Sequence, residues 1–511
     1  PSAPTTNSPF GSHPEYAKDR QEKILNKMHK EGYISAIQKE NAIKKRLNFK
    51  KVSDRILAPH FVLYVKDLLV KKYGEELVQQ GGLKVITSLD SNIQNFAQEV
   101  VSSEVDKLSS YHVTNGASII TSPATGEILA MVGSKNYFDT KIEGNVNVVL
   151  SLRQPGSAIK PINYAVGLMS KYTAATPFVD QKTCFPNPTG KDYCPVNYDG
   201  KWHGIVQMRY ALGNSINIPA VKMLKLNGVE AMTATSSAMG ITTFTDPDRY
   251  GLSLTLGGGD VTMIDMAQAF GVFANQGYKI TLHPILKITK NDGKILGKYN
   301  PPKSPIFGKK ILPSTVSFII SDILADNSAR SIEFGENSAL KIKDKIVSVK
   351  TGTTNDLRDN WTIGYTPSFV VATWVGNNDN SPMNNLASGI TGAAPIWNKI
   401  MSHLLKDKPQ EPVQRPVGVI QKKICSTSGL LPPPDSTPNA CPTRFEYFIK
   451  GTEPARLDPG MQKAFIDKST NNLAAPKQTD NVEERDSLIV TDPTGDSYCL
   501  TCPQPTVSPV P

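Results

Sequence analysis

No stretch of this chain is apolar over the ~18 residues that a membrane-spanning helix requires, and no signal peptide opens it. There is no glycine-rich phosphate loop and no interleaving of aromatic with basic residues. Nucleotide and nucleic-acid binding are therefore not expected. No repeat of fixed period recurs. Cysteines are few, and neither a second cysteine pair nor a histidine stands near Cys499-x-x-Cys502. A zinc site is discounted on that ground, and no metal or cofactor is expected.

What is present is a chain of 511 residues, 39% hydrophobic, with a net charge of +10. It can bury a substantial core and hold more than one domain. The charge is uneven: residues 15–51 carry 11 lysines and arginines against 5 acidic residues. Such a stretch reads as the solvated face of amphipathic helices, with contact to anionic headgroups in a longer parent as the alternative. Cys184 and Cys194 flank a Pro/Asn/Gly-rich loop, Cys425 and Cys441 a proline-rich one, and Cys499 and Cys502 lie in the tail. Close pairs across loops fit disulfides in an oxidising, exported setting, with free thiols as the alternative.

Three short motifs carry the chemistry: Ser157-Ala-Ile-Lys160, Ser215-Ile-Asn217 and Lys350-Thr-Gly352-Thr353. Each is weak alone, and the first two patterns recur at Ser338–Lys341, Ser134–Asn136 and Ser469–Asn471. Their order, and intervals long enough for three elements to converge on one cleft, discriminate. Pro155-Gly156 signals a turn, and Ile162, Ala165, Val166 and Met169 give a helical period after it. Ser157 is thus expected at a helix start, where free N–H groups favour developing negative charge. Lys160 lies three residues on, on the same face, within reach of the Ser157 hydroxyl. Pro161 lacks an N–H, so the opening turn is expected to be tight or irregular.

A serine hydroxyl needs a base, and a lysine serves if burial or a neighbouring cation lowers its pKa. Lys350 is the candidate cation. Ser215 is placed to relay a proton to a leaving amine, and Asn217 to bond Lys160 and a substrate amide; both can equally be turn and cap residues before Pro219. Residues 345–353 read as a strand. Gly352 lets substrate backbone approach its edge, and an extended peptide can add there as a strand. The Thr351 and Thr353 hydroxyls are candidates for a substrate carboxylate. The backbone N–H groups of Ser157 and Thr353 are candidates for an oxyanion hole. For Lys350 alone, an edge lysine that blunts aggregation is the competing reading.

With these residues in place, the chain resembles the transpeptidase part of a class A, bifunctional penicillin-binding protein. The resemblance covers most of residues 1–405. Residues 81–90 with Gln94 resemble the family's linker, and residues 123–133 its first sheet hairpin. Residues 254–258 and 267–277 resemble the helices behind the site, and residues 359–365 and 374–376 the strands after Lys-Thr-Gly. The resemblance implies an α+β, β-lactamase-like fold: an antiparallel sheet flanked by helices, with the site between sheet and helical lobe. It implies attack by Ser157 on the penultimate D-Ala carbonyl of a peptidoglycan stem peptide, then transfer to an amine of a neighbouring stem. β-Lactams would acylate Ser157 as substrate mimics. The setting implied is extracytoplasmic, at the membrane and wall of a bacterium, in a membrane-anchored parent.

Residues 1–47, with Ala3-Pro-Thr-Thr-Asn-Ser-Pro9 and the segment Arg20 to Met28, resemble only the last helices of the family's glycosyltransferase domain. The expected layout is a glycosyltransferase remnant at 1–50, a linker module at 51–115 with a helix from Asn92 to Leu108, and a transpeptidase domain at 116–405. A Pro/Cys-bearing extension follows at 406–465, then a disordered tail at 466–511.

Two rivals stay open. A carboxypeptidase or serine β-lactamase shares the acylation but uses water as acceptor. A class A β-lactamase needs a glutamate for that water, and the glutamates between Ser215 and Lys350, which are Glu230, Glu333 and Glu336, stand in no Glu-x-x-Leu-Asn context, so a long-lived acyl adduct is expected. The other rival is a non-catalytic β-lactam-sensing or wall-binding module.

Overall fold

In the computed structural model the described residues are 15–45, 56–186, 190–354, 356–384, 391–434, 441–475 and 477–503. Residues 3–9, the 46–55 junction and 504–511 lie outside them. The chain divides into two compact units, Pro1–Leu57 and Ala58–Pro511.

The first unit is helical, as expected. Helix Glu15–Lys30 buries none of its residues. Ser35 caps helix Ala36–Lys44 through a capping box with Gln38. Lys18 and Gln21 donate to the Ile43 and Ala42 carbonyls and tie the two helices together.

The second unit is built on a five-stranded antiparallel sheet. Its order is Ser348–Thr353, Asp359–Tyr365, Val370–Gly376, Asn115–Thr121, Ile128–Val132. The sequence predicts two hairpins, Gly116–Met131 around Pro123–Gly126 and Thr362–Tyr365 with Phe369–Val375 around Thr366-Pro-Ser368, and both are present with strands at Asn115–Thr121, Ile128–Val132, Asp359–Tyr365 and Val370–Gly376. Alternation along these strands does not separate buried from exposed, because nearly every position is buried. It separates two cores. Ala117, Ile119, Trp361, Ile363, Ala372 and Trp374 face one core with helices Lys160–Ser170, Met263–Ala274 and Ser314–Ala325. Ile120, Val349, Val371 and Val375 face another with helices Ser91–Lys107 and Ala393–Leu405. The sheet is sandwiched between helical layers, with the Lys350 strand at one edge.

Two expectations about layout change. Residues 58–115 are not a separate module. Helix Pro59–Tyr73 puts Phe61, Val65 and Leu69 into the first core, and strand Lys84–Thr87 pairs with Ile285–Thr289. The helix expected from 92 to 108 runs Ser91–Lys107, capped by Asp90.

The tail expected to be disordered is structured over most of its length. Strands Met461–Asp467, Val482–Thr491 and Ser497–Cys499 form a three-stranded sheet. Its core is only Ala464, Ile466, Cys499 and Cys502, with a Cys499–Cys502 disulfide. So small a core leaves no apolar period to read, and the crosslink and docking against the larger body do the rest. The other cysteines pair as Cys184–Cys194 and Cys425–Cys441. No helix among the described residues is long and apolar enough to cross a membrane.

The second core is pinned by Trp397, fully buried on helix Ala393–Leu405. It lies so close over Gly364 that a Cβ there would meet its ring at 2.4 Å. Trp397→Ala should lower unfolding free energy by about 3–5 kcal/mol in denaturant titration; a change within error would mean that this face carries little of the fold's stability.

Candidate active site

Ser157 sits in a turn held from three sides. Arg153 bridges Val261. Trp361 Nε1 donates to the Gln154 carbonyl at 2.8 Å. Gly156 takes φ = 53°, which only glycine adopts readily. The opening turn, Gly156–Ile159, is a tight 3-10 turn, and helix Lys160–Ser170 follows with Pro161 in its first turn. The Lys350 strand crosses directly over this turn. A Cβ on Gly156 would lie 2.5 Å from the Thr353 carbonyl oxygen, and one on Gly352 would lie 2.2 Å from that of Pro155. Two glycines thus let the first and third motifs touch backbone to backbone.

Lys160 is fully buried. Its Nζ donates to Asn217 Oδ1 at 2.7 Å, to the Ile216 carbonyl at 3.1 Å and to the Ser215 carbonyl. The expected bond to the Ser157 hydroxyl is not among these. An ammonium has three donors, and the second motif supplies three acceptors. Burial, and then the charge of Lys350, hold the Lys160 pKa well below the usual lysine range.

Ser215 has a left-handed backbone, φ = 62°, a conformation that costs a non-glycine residue on the order of 1–3 kcal/mol. It sends the Ser215 carbonyl to Lys160 while the hydroxyl accepts from Lys350 Nζ at 2.8 Å. Lys350 also donates to the Thr351 carbonyl at 2.8 Å. Burial lowers its pKa to about 7, with Arg330 pushing the same way and Glu333 opposing. Asn217 opens helix Asn217–Asn227. One amide hydrogen goes to the Val196 carbonyl at 2.7 Å, so only the other is left for a substrate.

Ser157, Ser215, Asn217, Thr351, Gly352 and Thr353 line one cleft of about 420 Å³. Lys160 and Lys350 lie behind it. Thr353 Oγ1 accepts from Asn360 Nδ2 at 3.2 Å.

Sequence reasoning missed one wall of this cleft. Val196, Asn197, Tyr198, Asp199 and His203 form it, from the connection between strands Pro177–Asp180 and Gly204–Gln207. Asp180 anchors that connection from below. It is fully buried, and its carboxylate accepts from Asn197 Nδ2, the His203 N–H and His203 Nδ1, each at 2.8 Å. That bond, with Asp199 at 3.2 Å from His203 Nε2, raises the His203 pKa. The paired cysteines of the same connection were the one available signal. Glu333, weighed in sequence only by its neighbours, also lines the cleft. Burial, then Asp199, raise its carboxyl pKa.

Comparison with known proteins gives the family. The family described as "Penicillin binding protein transpeptidase domain" matches residues 116–402, and "Penicillin-binding protein 1A, C-terminal domain" matches residues 415–463. Penicillin-binding protein 1A of Aquifex aeolicus is 28% identical, over 89% of this chain and 71% of that protein. Penicillin-binding protein 2D of Bacillus subtilis is 29% identical, over 95% of this chain and 68% of that protein. The crystal structure of penicillin-binding protein 1A from Haemophilus influenzae shares the fold, with a TM-score of 0.76 at 24% identity, over 89% of this chain and 85% of that one. The chain belongs to the penicillin-binding protein transpeptidase family, on its class A branch.

Proposed function

We propose that Ser157 is the acyl-accepting nucleophile of a peptidoglycan D,D-transpeptidase, with Lys160, Ser215, Asn217 and Lys350 as its proton-handling set. The observation that carries this reading is the convergence of all three motifs on one cleft, each lysine bonded to the second motif. A stem peptide ending in D-Ala-D-Ala lies along the open edge of strand Ser348–Thr353 as an added strand. Its terminal carboxylate meets Thr351 and Thr353. Lys160, its pKa depressed, takes the Ser157 proton as Oγ attacks the penultimate carbonyl. The N–H groups of Ser157 and Thr353 hold the oxyanion, at about 3–4 kcal/mol per donor. Lys350 passes a proton through Ser215 to the departing D-Ala amine. An amine of a second stem then attacks the ester, forms the cross-link and frees Ser157. β-Lactams acylate the same oxygen.

This substrate places the protein on the extracytoplasmic face of a bacterial membrane, where its three disulfides are at home. The Glu333 carboxyl in the cleft is the one observation that favours the hydrolytic rival. That Glu333 stands in no Glu-x-x-Leu-Asn context, and interacts with the Lys350 charge, favours the amine acceptor.

Two measurements follow. Intact mass after β-lactam treatment should show one adduct that persists once free drug is removed and is absent in Ser157→Ala. Fast turnover would favour the hydrolytic reading, and no adduct on wild type the non-catalytic one. The second is a pH profile. Lys160 must lack its proton and Lys350 must keep it, so the second-order acylation rate constant should fall as pH rises through about 7. Lys350→Arg, always charged, should remove that alkaline limb. An unchanged limb in the arginine variant would exclude Lys350 as its source.

A further inference from the structure

The C-terminal sheet is joined to the catalytic body by a buried ion pair that does not line the cleft. Asp492, at the end of strand Val482–Thr491, is 3% exposed. Its Oδ2 accepts from Lys222 Nζ at 2.7 Å and from the Val179 N–H at 3.0 Å. Lys222 is 0% exposed. Its Nζ also donates to the Val179 carbonyl at 2.8 Å and pairs with Asp496 at 2.6 Å. Asp492 Oδ1 is turned back on its own loop, accepting from the Thr494 N–H at 2.8 Å and the Thr494 hydroxyl at 2.5 Å. The Asp492 carboxylate therefore braces, from the C-terminal sheet, the direct bond between helix Asn217–Asn227 and strand Pro177–Asp180.

Both of those elements end in the cleft. The helix begins at Asn217, which holds Lys160. The strand continues into Asp180, which grips Asn197 and His203. The two paths meet again, because the Asn217 N–H donates to Asn197 Oδ1 at 2.9 Å. Beside them Gly204 has φ = 67°, and a Cβ there would strike the Tyr498 ring at 2.8 Å. The sheet is thus packed hard against the base of the cleft wall as well as ion-paired through it. A surface appendage needs none of this. A buried ion pair is weak evidence for stability, since apolar residues of similar volume often serve as well, but it fixes one arrangement of the groups around it.

We propose that the C-terminal sheet, through Asp492, is a positioning element of the acyl-transfer site: it fixes strand Pro177–Asp180 against helix Asn217–Asn227, and so sets where Asn217 holds Lys160. Asp492 touches no substrate and acts through Val179, Lys222 and the two elements that carry them. The inference rests on the roles assigned above to Lys160 and Asn217. Failure of the wild-type protein to acylate would sink that assignment, whereas the comparison of variants tests the positioning alone.

The test uses the full chain. Asp492→Ala leaves the buried Lys222 charge only the half-exposed Asp496 as a partner, so the primary variant is the paired Lys222→Met with Asp492→Leu, which removes the buried charge on each side at similar volume. Thr494→Val, which loosens Asp492 without exposing Lys222, is the second. Each is measured for thermal midpoint, acylation rate constant with a fluorescent penicillin, and the pH profile of that constant. A displaced base costs on the order of ten- to a hundredfold in rate. The folded pair should lose that much, with the acidic limb of its profile moved, and Thr494→Val should lose less in the same direction. A folded pair with the wild-type rate constant and profile overturns the proposal. So does a slower pair whose pH profile is unchanged, which is what a merely structural role gives. If the pair does not fold, Thr494→Val decides by the same readouts.

Discussion

Two lysines buried at one cleft are the constraint on which the rest of this structure depends. Lys160 and Lys350 are each almost wholly removed from water. An unpaired ammonium loses several kcal/mol of hydration on burial, and the charge of Lys350 makes a charge on Lys160 less favourable still. Lys160 is the deeper of the two. Its surroundings hold it in place with the three acceptors of the second motif. The geometry that would suit a charged lysine is thereby combined with an environment that favours a neutral one, which is what a general base beside a serine requires.

Keeping that arrangement requires strained and close-packed backbone. Ser215 accepts a left-handed conformation so that one residue can address both lysines. Gly156 and Gly352 give up side chains so that the sheet edge can lie on the Ser157 turn. Such features persist only where the surroundings over-determine them. Here the surroundings are extensive: a sheet covered on both faces, and a cluster in which Arg209, on helix Met208–Gly213 leading to Ser215, pairs with Asp322, Asp326 and the buried Glu446. The elements that carry the proposed catalytic residues are thus fastened to parts of the chain 113 to 237 residues away.

That distribution explains what could be read from the sequence. The Ser157 turn, the strands of the two hairpins and the close cysteine pairs are local, and periodicity and turn residues show them. The tight opening of the Ser157 helix followed from Pro161 alone. The partner of Lys160 did not. Spacing along a helix points to Ser157, but the donors of a buried ammonium go where acceptors are, and those lie on another element. Asp180, His203 and Glu333 reach the cleft only through tertiary folding, and no short pattern contains them. The C-terminal sheet was hidden for a different reason: its buried cluster is four residues, two of them cysteines, and an ion pair and a disulfide supply what apolar periodicity would have advertised.

The protonation state of Lys160 is the most direct test of this picture. Lysine side-chain NMR on selectively labelled protein, with Lys160→Arg to assign the signal, reports it without reference to activity. A Lys160 amine that is neutral near neutral pH, and takes its proton only on acidification, is the expected result. A Lys160 that remains charged well into the alkaline range would contradict the claim that burial and Lys350 together make it the base.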